Sequence, residues 1–152
     1  MPRALVYGPS DEAIDKSLGA REYLEFLAAR MKLERRPYPS QEEPIEIEGD
    51  FDSVCVLTGL SSLQEISGYM EMDLDTIFEP QDLLGALREA LPPTYLIVAV
   101  VDDSYSQYLM QAYLKAGASA VVGTAGDLFG MVTGRLSDID LLLPYINAYA
   151  RV

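Results

Sequence analysis

Four consecutive residues, Asp102-Asp103-Ser104-Tyr105, bring two carboxylates, a hydroxyl and a phenol together after the most apolar run of the chain, Tyr95 to Val101. A serine hydroxyl becomes a nucleophile only when a base takes its proton, and a carboxylate alone is a poor base for an alkoxide. The chain contains no histidine. Lys115 falls at the far end of the helix expected to follow, so no serine–lysine arrangement is offered either. The single cysteine, Cys55, lies in the middle of the apolar run Ser53-Val54-Cys55-Val56-Leu57, where burial would keep the thiol protonated and inert. A cysteine–histidine dyad is therefore chemically impossible within this sequence. Ser104 also has the residue type that caps a helix N-terminus, which is sufficient reason for its presence.

Other signals carry less chemistry. Asp102-Asp103, Asp73-x-Asp75 and Asp138-x-Asp140 present carboxylate oxygens of the kind that hold Ca²⁺ or Mg²⁺. No Asp-x-Asp-x-Asp-Gly loop organises them, and neither a metal site nor a cofactor is expected. The turn Gly123-Thr124-Ala125-Gly126 leads into an expected helix whose N-terminus could attract an anion. Asp127 already serves that dipole, and a plain strand-to-helix turn is expected. Tyr108 and Tyr113 ride one expected helix, where amphipathic packing and a contact surface are equally good explanations.

Charge narrows the range of partners. The formal net charge is −13, and between Pro37 and Leu87 there is no Lys or Arg while Asp and Glu recur. Such a surface repels phosphate backbones, so neither nucleic acid nor an anionic membrane is expected as a partner. A protein partner with a basic surface or a divalent cation is physically easier, and a solvated acidic face that only keeps the protein soluble is the bland alternative. The cations Arg30, Lys32, Arg35 and Arg36 gather where the first long helix is expected to end, and a favourable interaction with its dipole would explain them. One cysteine allows no internal disulfide, strand-like sequence starting at Arg3 argues against a leader peptide, and no apolar run approaches the length of a membrane span. A cytoplasmic location is expected.

The elements that must position these groups follow from apolar periodicity. Arg3 to Tyr7 reads as a buried strand, and Asp15 to Met31 as a helix with Ala20, Leu24, Leu27, Ala28 and Met31 on one stripe. A weak second strand is expected around Leu33 to Tyr38, with a short edge piece at Ile45 to Ile47. Ser53 to Leu57 is the next strand, followed by a long acidic excursion over 58–80. Pro80 starts a helix with Leu83, Leu84, Leu87, Ala90 and Leu91 on its apolar face. Tyr95 to Val101 is apolar on both faces and so a central strand. A helix over about 104–115 stops at Gly117, Ser119 to Val122 forms another strand, and a helix is expected over about 127–136. The rest of the chain, Ile139 to Ala150, reads as helical or irregular. Alternating strands and helices at this spacing predict one α/β domain over residues 1–152, a three-layer sandwich with a mainly parallel sheet flanked by helices.

In such a sheet, function collects at the carboxyl ends of the strands. Here those are Gly8-Pro9-Ser10-Asp11, Thr58-Gly59-Leu60-Ser61, Asp102-Asp103-Ser104-Tyr105 and Gly123 to Gly126. The opening ALVYGPSDEAIDKSLGAREYLEFLAARMKLE resembles the start of caspase-like domains of the metacaspase and CHAT-related type. VCVLTGLSS resembles the strand and Ser-Gly-His-Gly turn that carries the catalytic histidine in those domains. IVAVVDDSYSQ resembles the strand ending in Asp-Ala-Cys-Tyr-Ser-Gly that presents the nucleophilic cysteine, with Asp102, Tyr105 and Ser106 preserving its frame. The likeness covers the first two thirds of the chain in the right order. It places Leu60 at the histidine position and Ser104 at the cysteine position. The resemblance thus implies a degenerate member: a catalytically inactive pseudoenzyme kept as a protein-binding or regulatory module. Its binding residues would lie among Gly59, Asp102, Asp103, Ser104 and Tyr105, and its partner would be an active relative or a basic surface.

A second resemblance competes for the same segment. YLIVAVVDDSYSQYLMQAYLKAGASAVVG is similar to the fourth strand, fourth helix and fifth strand of a response-regulator receiver, a flavodoxin-like fold. Receivers need a phospho-accepting aspartate after strand three, yet here that strand ends in Thr58-Gly59. Gly123-Thr124 stands where a lysine belongs, and Asp11 and Glu12 lie several residues beyond the strand whose acidic pair they would imitate. This reading implies an atypical signalling domain without a phospho-acceptor. A sixth strand, or a hairpin near residues 38–52, would favour the caspase-like reading. Five strands ending in a helix over 127–136 would favour the receiver. Hydrolysis by Ser104 is the least supported alternative.

Overall fold

The apolar runs of the sequence become neighbouring strands of one sheet in the computed structural model, which describes residues 1–8, 11–15, 18–58, 80–91, 95–100, 107–123, 132–134 and 143–145. In chain order the elements are β1 (Arg3–Gly8), α1 (Asp11–Asp15), α2 (Leu18–Ala28), β2 (Lys32–Pro37), β3 (Ser53–Thr58), α3 (Pro80–Ala90), β4 (Tyr95–Val100), α4 (Gln107–Ala116), β5 (Ala120–Gly123) and β6 (Val132–Gly134), followed by a 3-10 turn at Leu143–Tyr145. The strand order is β2-β1-β3-β4-β5-β6. β1 to β5 run parallel, and β6 pairs antiparallel with β5. This is the expected α/β architecture with a mainly parallel sheet covered by helices.

Side-chain alternation along the strands divides the core into two layers. Ala4, Val6, Cys55, Leu57, Ile97, Ala99, Ala120 and Val122 face α1 and α2, meeting Ile14, Ala20, Tyr23, Leu24, Leu27 and Met31. Leu5, Val54, Val56, Leu96, Val98, Val100 and Val121 face the other way, onto Leu83, Leu84 and Leu87 of α3 and Met110 and Tyr113 of α4. β3, β4 and β5 are buried along their whole length, which is why their sequences are apolar on both faces rather than alternating. Ala90, expected on the apolar stripe of α3, is exposed, because the helix turns it outward at its end.

β2 is the edge of the sheet and reads accordingly, with charged residues at four of its positions. Lys32 donates its N–H to the Pro2 carbonyl at 2.8 Å and Tyr38 donates to the Gly8 carbonyl at 3.1 Å, so the even-numbered residues face β1. The N–H groups of Leu33 and Arg35 then point outward, and Pro37, next in that series, has none to offer. Proline and charge blunt the edge against unwanted strand pairing.

Several expectations need correction. The first helical region starts earlier and is divided into α1 and α2, and α2 ends at Ala28 rather than Met31. Arg30 does serve the end of α2, donating to the Phe26 carbonyl at 2.9 Å while its guanidinium lies 3.6 Å from the centre of the Phe26 ring. Lys32, Arg35 and Arg36 lie on β2 instead and have no part in that dipole. Ile45 to Ile47 forms no strand, and no hairpin occurs in 38–52. That stretch lies irregularly across the α3/α4-side layer, with Ile45, Ile47 and Phe51 turned inward and the intervening Glu46 and Glu48 exposed. Arg3 closes it, donating its backbone N–H to Asp52 Oδ2 at 2.8 Å and a guanidinium N–H to the Asp50 carbonyl at 3.2 Å. Finally, Val132–Gly134 is a strand where a helix was expected over 127–136. β5 has an open edge on that side, and Val132-Thr133, both β-branched, are suited to pair with it.

Two polar clusters fix the flanks. In α3, Arg88 donates through Nε to the Gly117 carbonyl and through Nη2 to Ser119 Oγ, both at 2.6 Å, and Ser119 Oγ accepts the Leu96 N–H at 3.1 Å. The ends of α3 and α4 and the starts of β4 and β5 are thereby tied together. At the other side, Tyr23 donates its hydroxyl to the Tyr145 carbonyl, and the Tyr145 hydroxyl shares a hydrogen bond with Ser53 Oγ. This network seats the 3-10 turn in the α1/α2-side layer with Tyr145 fully buried.

Candidate functional site

The carboxyl ends of the parallel strands form the face on which the sequence places its chemistry. Gly8 of β1 stands beside Pro37 of β2, and Thr58 of β3 beside Val100 of β4, which in turn stands beside Gly123 of β5. The segments expected to carry function come after Thr58 and Val100 in sequence, and these two residues are register partners on adjacent strands. Gly59, Leu60, Asp102, Asp103, Ser104 and Tyr105 themselves lie outside the described residues, as do Asp73, Asp75, Asp138, Asp140 and the Gly-Thr-Ala-Gly turn beyond Gly123.

Cys55 is placed as its valine neighbours dictate, fully buried in the α1/α2-side layer. Burial pushes its thiol up to about 12, against an opposing effect from a hydrogen bond with the Ala99 backbone. A thiol that is fully buried and held protonated does not serve as a nucleophile. Among the described residues there is no cluster of three or more Cys, Asp or Glu able to hold a metal ion. None of the helices among those residues is long and apolar enough to cross a membrane.

A cavity of about 430 Å³ opens on this face between β1, β2 and β3 on the sheet side and α1 and α2 above. Its floor is apolar, made by Val6, Ile14, Leu24 and Leu57, with Gly8 contributing a stretch of wall without a side chain. Pro37 and the polar residues Asp11, Arg35 and Arg36 complete the lining. Arg35 Nη2 meets Asp11 Oδ1 at 2.6 Å, joining the edge strand to the first residue of α1. Arg36, the next residue, belongs to the opposite face of β2. There it donates to Glu34 Oε2 at 2.7 Å and to the Glu46 carbonyl at 3.0 Å, and hydrogen-bonds Tyr7. Burial raises the pKa of the Tyr7 phenol, and Arg36 partly offsets this. Tyr38 braces the same corner from beneath: buried, with its pKa raised by that burial, it donates its hydroxyl to the Leu57 carbonyl.

What sequence reasoning missed is the pairing of Arg35 with Asp11. Both carried signals. Arg35 stands in the outward, odd-numbered series of β2 beside the end of β1, and Asp11 lies three residues beyond Gly8. Their pairing across 24 residues of sequence could be seen only once β2 was known to lie beside β1. Asp11 is turned toward this cation.

No protein-family model matches this chain, and no curated protein matches it in sequence.

Proposed function

We propose that this chain is a caspase-like domain that has lost its catalytic pair and acts as a protein-binding or regulatory module. The observation that carries the reading is a sheet order, β2-β1-β3-β4-β5 with an antiparallel sixth strand at Val132–Gly134, joined to a sequence with no histidine. A sixth strand is the feature that separates this reading from a receiver, for which a helix in place of that strand would be expected. Further support comes from Thr58 and Val100 being direct register partners, which lets the segments bearing Leu60 and Ser104 start side by side. With leucine and serine at those positions, no histidine in the sequence and the lone thiol buried, the chain offers no imidazole base for a nucleophile. What such a scaffold retains is surface. The acidic stretch from Pro37 to Leu87 suits a partner with a basic face, and an active relative is one such candidate.

Restoring the pair tests the alignment on which this reading rests. In Ser104→Cys the new thiol should alkylate with the pH dependence of an ordinary cysteine. Adding Leu60→His should shift that dependence toward lower pH, because an adjacent imidazole stabilises the thiolate. An unchanged profile in the double variant would mean that positions 60 and 104 do not face each other as a dyad, and the caspase-like register would fall.

A further inference from the structure

The cavity between β1, β2 and β3 has a composition that selects a ligand. Its lining joins four buried aliphatic side chains, Val6, Ile14, Leu24 and Leu57, to a solvent-exposed guanidinium paired with a carboxylate. The Arg35 side chain is 40% exposed and that of Asp11 86% exposed, so their ion pair is of the solvent-screened kind that holds its partners weakly. Only one contact joins them, and the planar guanidinium keeps further donors for a second acceptor. Arg36, by contrast, is committed to Glu34, Glu46 and Tyr7 on the other face.

We infer that this cavity binds the C-terminal residue of a peptide: an apolar side chain on the aliphatic floor, with its α-carboxylate on Arg35. The chemistry of the lining argues for a terminus over an internal acidic residue. An Asp or Glu side chain ends in its charge and brings no apolar body to the floor, whereas a terminal leucine or valine places a carboxylate one bond from the carbon that bears the apolar group. Asp11 stays at the mouth beside Arg35, where its carboxylate can accept the ligand's own N–H. The volume of about 430 Å³ is at the small end of ligand sites and suits one residue and its flanking backbone. A single terminal charge also suffers less from the net charge of −13 than an extended acidic peptide would. This names a partner chemistry for the binding module proposed above and rests on that reading.

The test follows the methyl resonances of Ile14 and Leu24 in the whole chain during titration with N-acetyl-leucine, N-acetyl-leucinamide and two glycine-rich hexapeptides. One hexapeptide ends in leucine with a free carboxylate, and the other is amidated. Saturable shifts are expected with N-acetyl-leucine and the free hexapeptide, with at least about tenfold weaker binding of both amides because the charge-assisted contact is lost. Arg35→Gln should weaken the free acids to the level of the amides, while Lys32→Gln, which removes the same charge elsewhere on β2, should change nothing. Equal binding of acids and amides, or shifts that survive Arg35→Gln, would overturn the assignment. Shifts with N-acetyl-leucine but not with the hexapeptide would equally overturn a peptide terminus as the ligand. Catalysis at Ser104 would sink the pseudoenzyme reading without moving these methyl shifts, so the two can fail separately.

Discussion

Among the described residues, Cys55 and the buried tyrosines Tyr23, Tyr38 and Tyr145 have ionisations strongly tied to folding. Folded Cys55 holds its proton up to about pH 12, whereas an unfolded thiol releases it near 9.0. Above pH 9 the unfolded chain therefore binds fewer protons than the native one, and stability falls as pH rises, by at most ~1.4 kcal/mol per pH unit for one group. Tyr23, Tyr38 and Tyr145, all raised by burial, add to the loss with the same sign from pH 10.0 upward. Below pH 9 none of the four makes stability depend on pH. Urea unfolding at stepped pH should thus show the decline beginning near pH 9 in the wild type and near pH 10 in Cys55→Ala, apart from a pH-independent cavity cost. An unchanged onset in the variant would show that the thiol is not buried as described. The Ser53–Tyr145 pair makes a second prediction. Either Tyr145→Phe or Ser53→Ala strands one buried hydroxyl or its partner and should cost about 1–3 kcal/mol. The double variant should cost less than the sum, which a double-mutant cycle by urea unfolding would measure.

At the scale of elements, two glycines with opposite roles test how the helices are built. Gly117 ends α4 with a φ of 124°, and a Cβ there would stand 2.7 Å from Arg88 Cγ. Gly117→Ala should destabilise by about 1–3 kcal/mol, from the positive φ and from displacing the arginine that ties α3 to β5. Gly85, inside α3, has open space where a Cβ would go, and Gly85→Ala should stabilise by about 0.5–1 kcal/mol. Thermal or urea unfolding that ranked the two alike would contradict the placement of α3 against α4. The same elements show what could be read from sequence. β3, β4 and α3 announce themselves locally, through apolar runs, Pro80 at a helix start and Gly117 at a helix stop. β6 does not, because three residues become a strand only through the free edge of β5, a partner that periodicity within residues 127–136 does not contain. The cations of β2 lie away from the helix dipole for a related reason: nearness to a helix end in sequence counts for less than nearness to β1 in space. Arg35 and Asp11 are not legible as a pair in the sequence because the sheet, and not the chain, brings them together.

For the whole molecule, the sheet and the charge lead to the same functional reading. Thr58 and Val100 end adjacent parallel strands in register, and the proposed caspase-like reading puts a dyad in the segments that follow them in sequence. The sequence supplies neither half of that dyad. A surplus of acidic groups, many of them between Pro37 and Leu87, leaves the chain suited to meeting a basic protein surface and ill suited to phosphate backbones. The central claim is that this scaffold binds without catalysing. Its most direct test is labelling of the purified chain with broad serine- and cysteine-reactive probes, with and without Ca²⁺, comparing wild type with Ser104→Ala. The account predicts no labelling of the folded protein under either condition. Labelling of the wild type that disappears in Ser104→Ala would contradict it and would require a base beside Ser104.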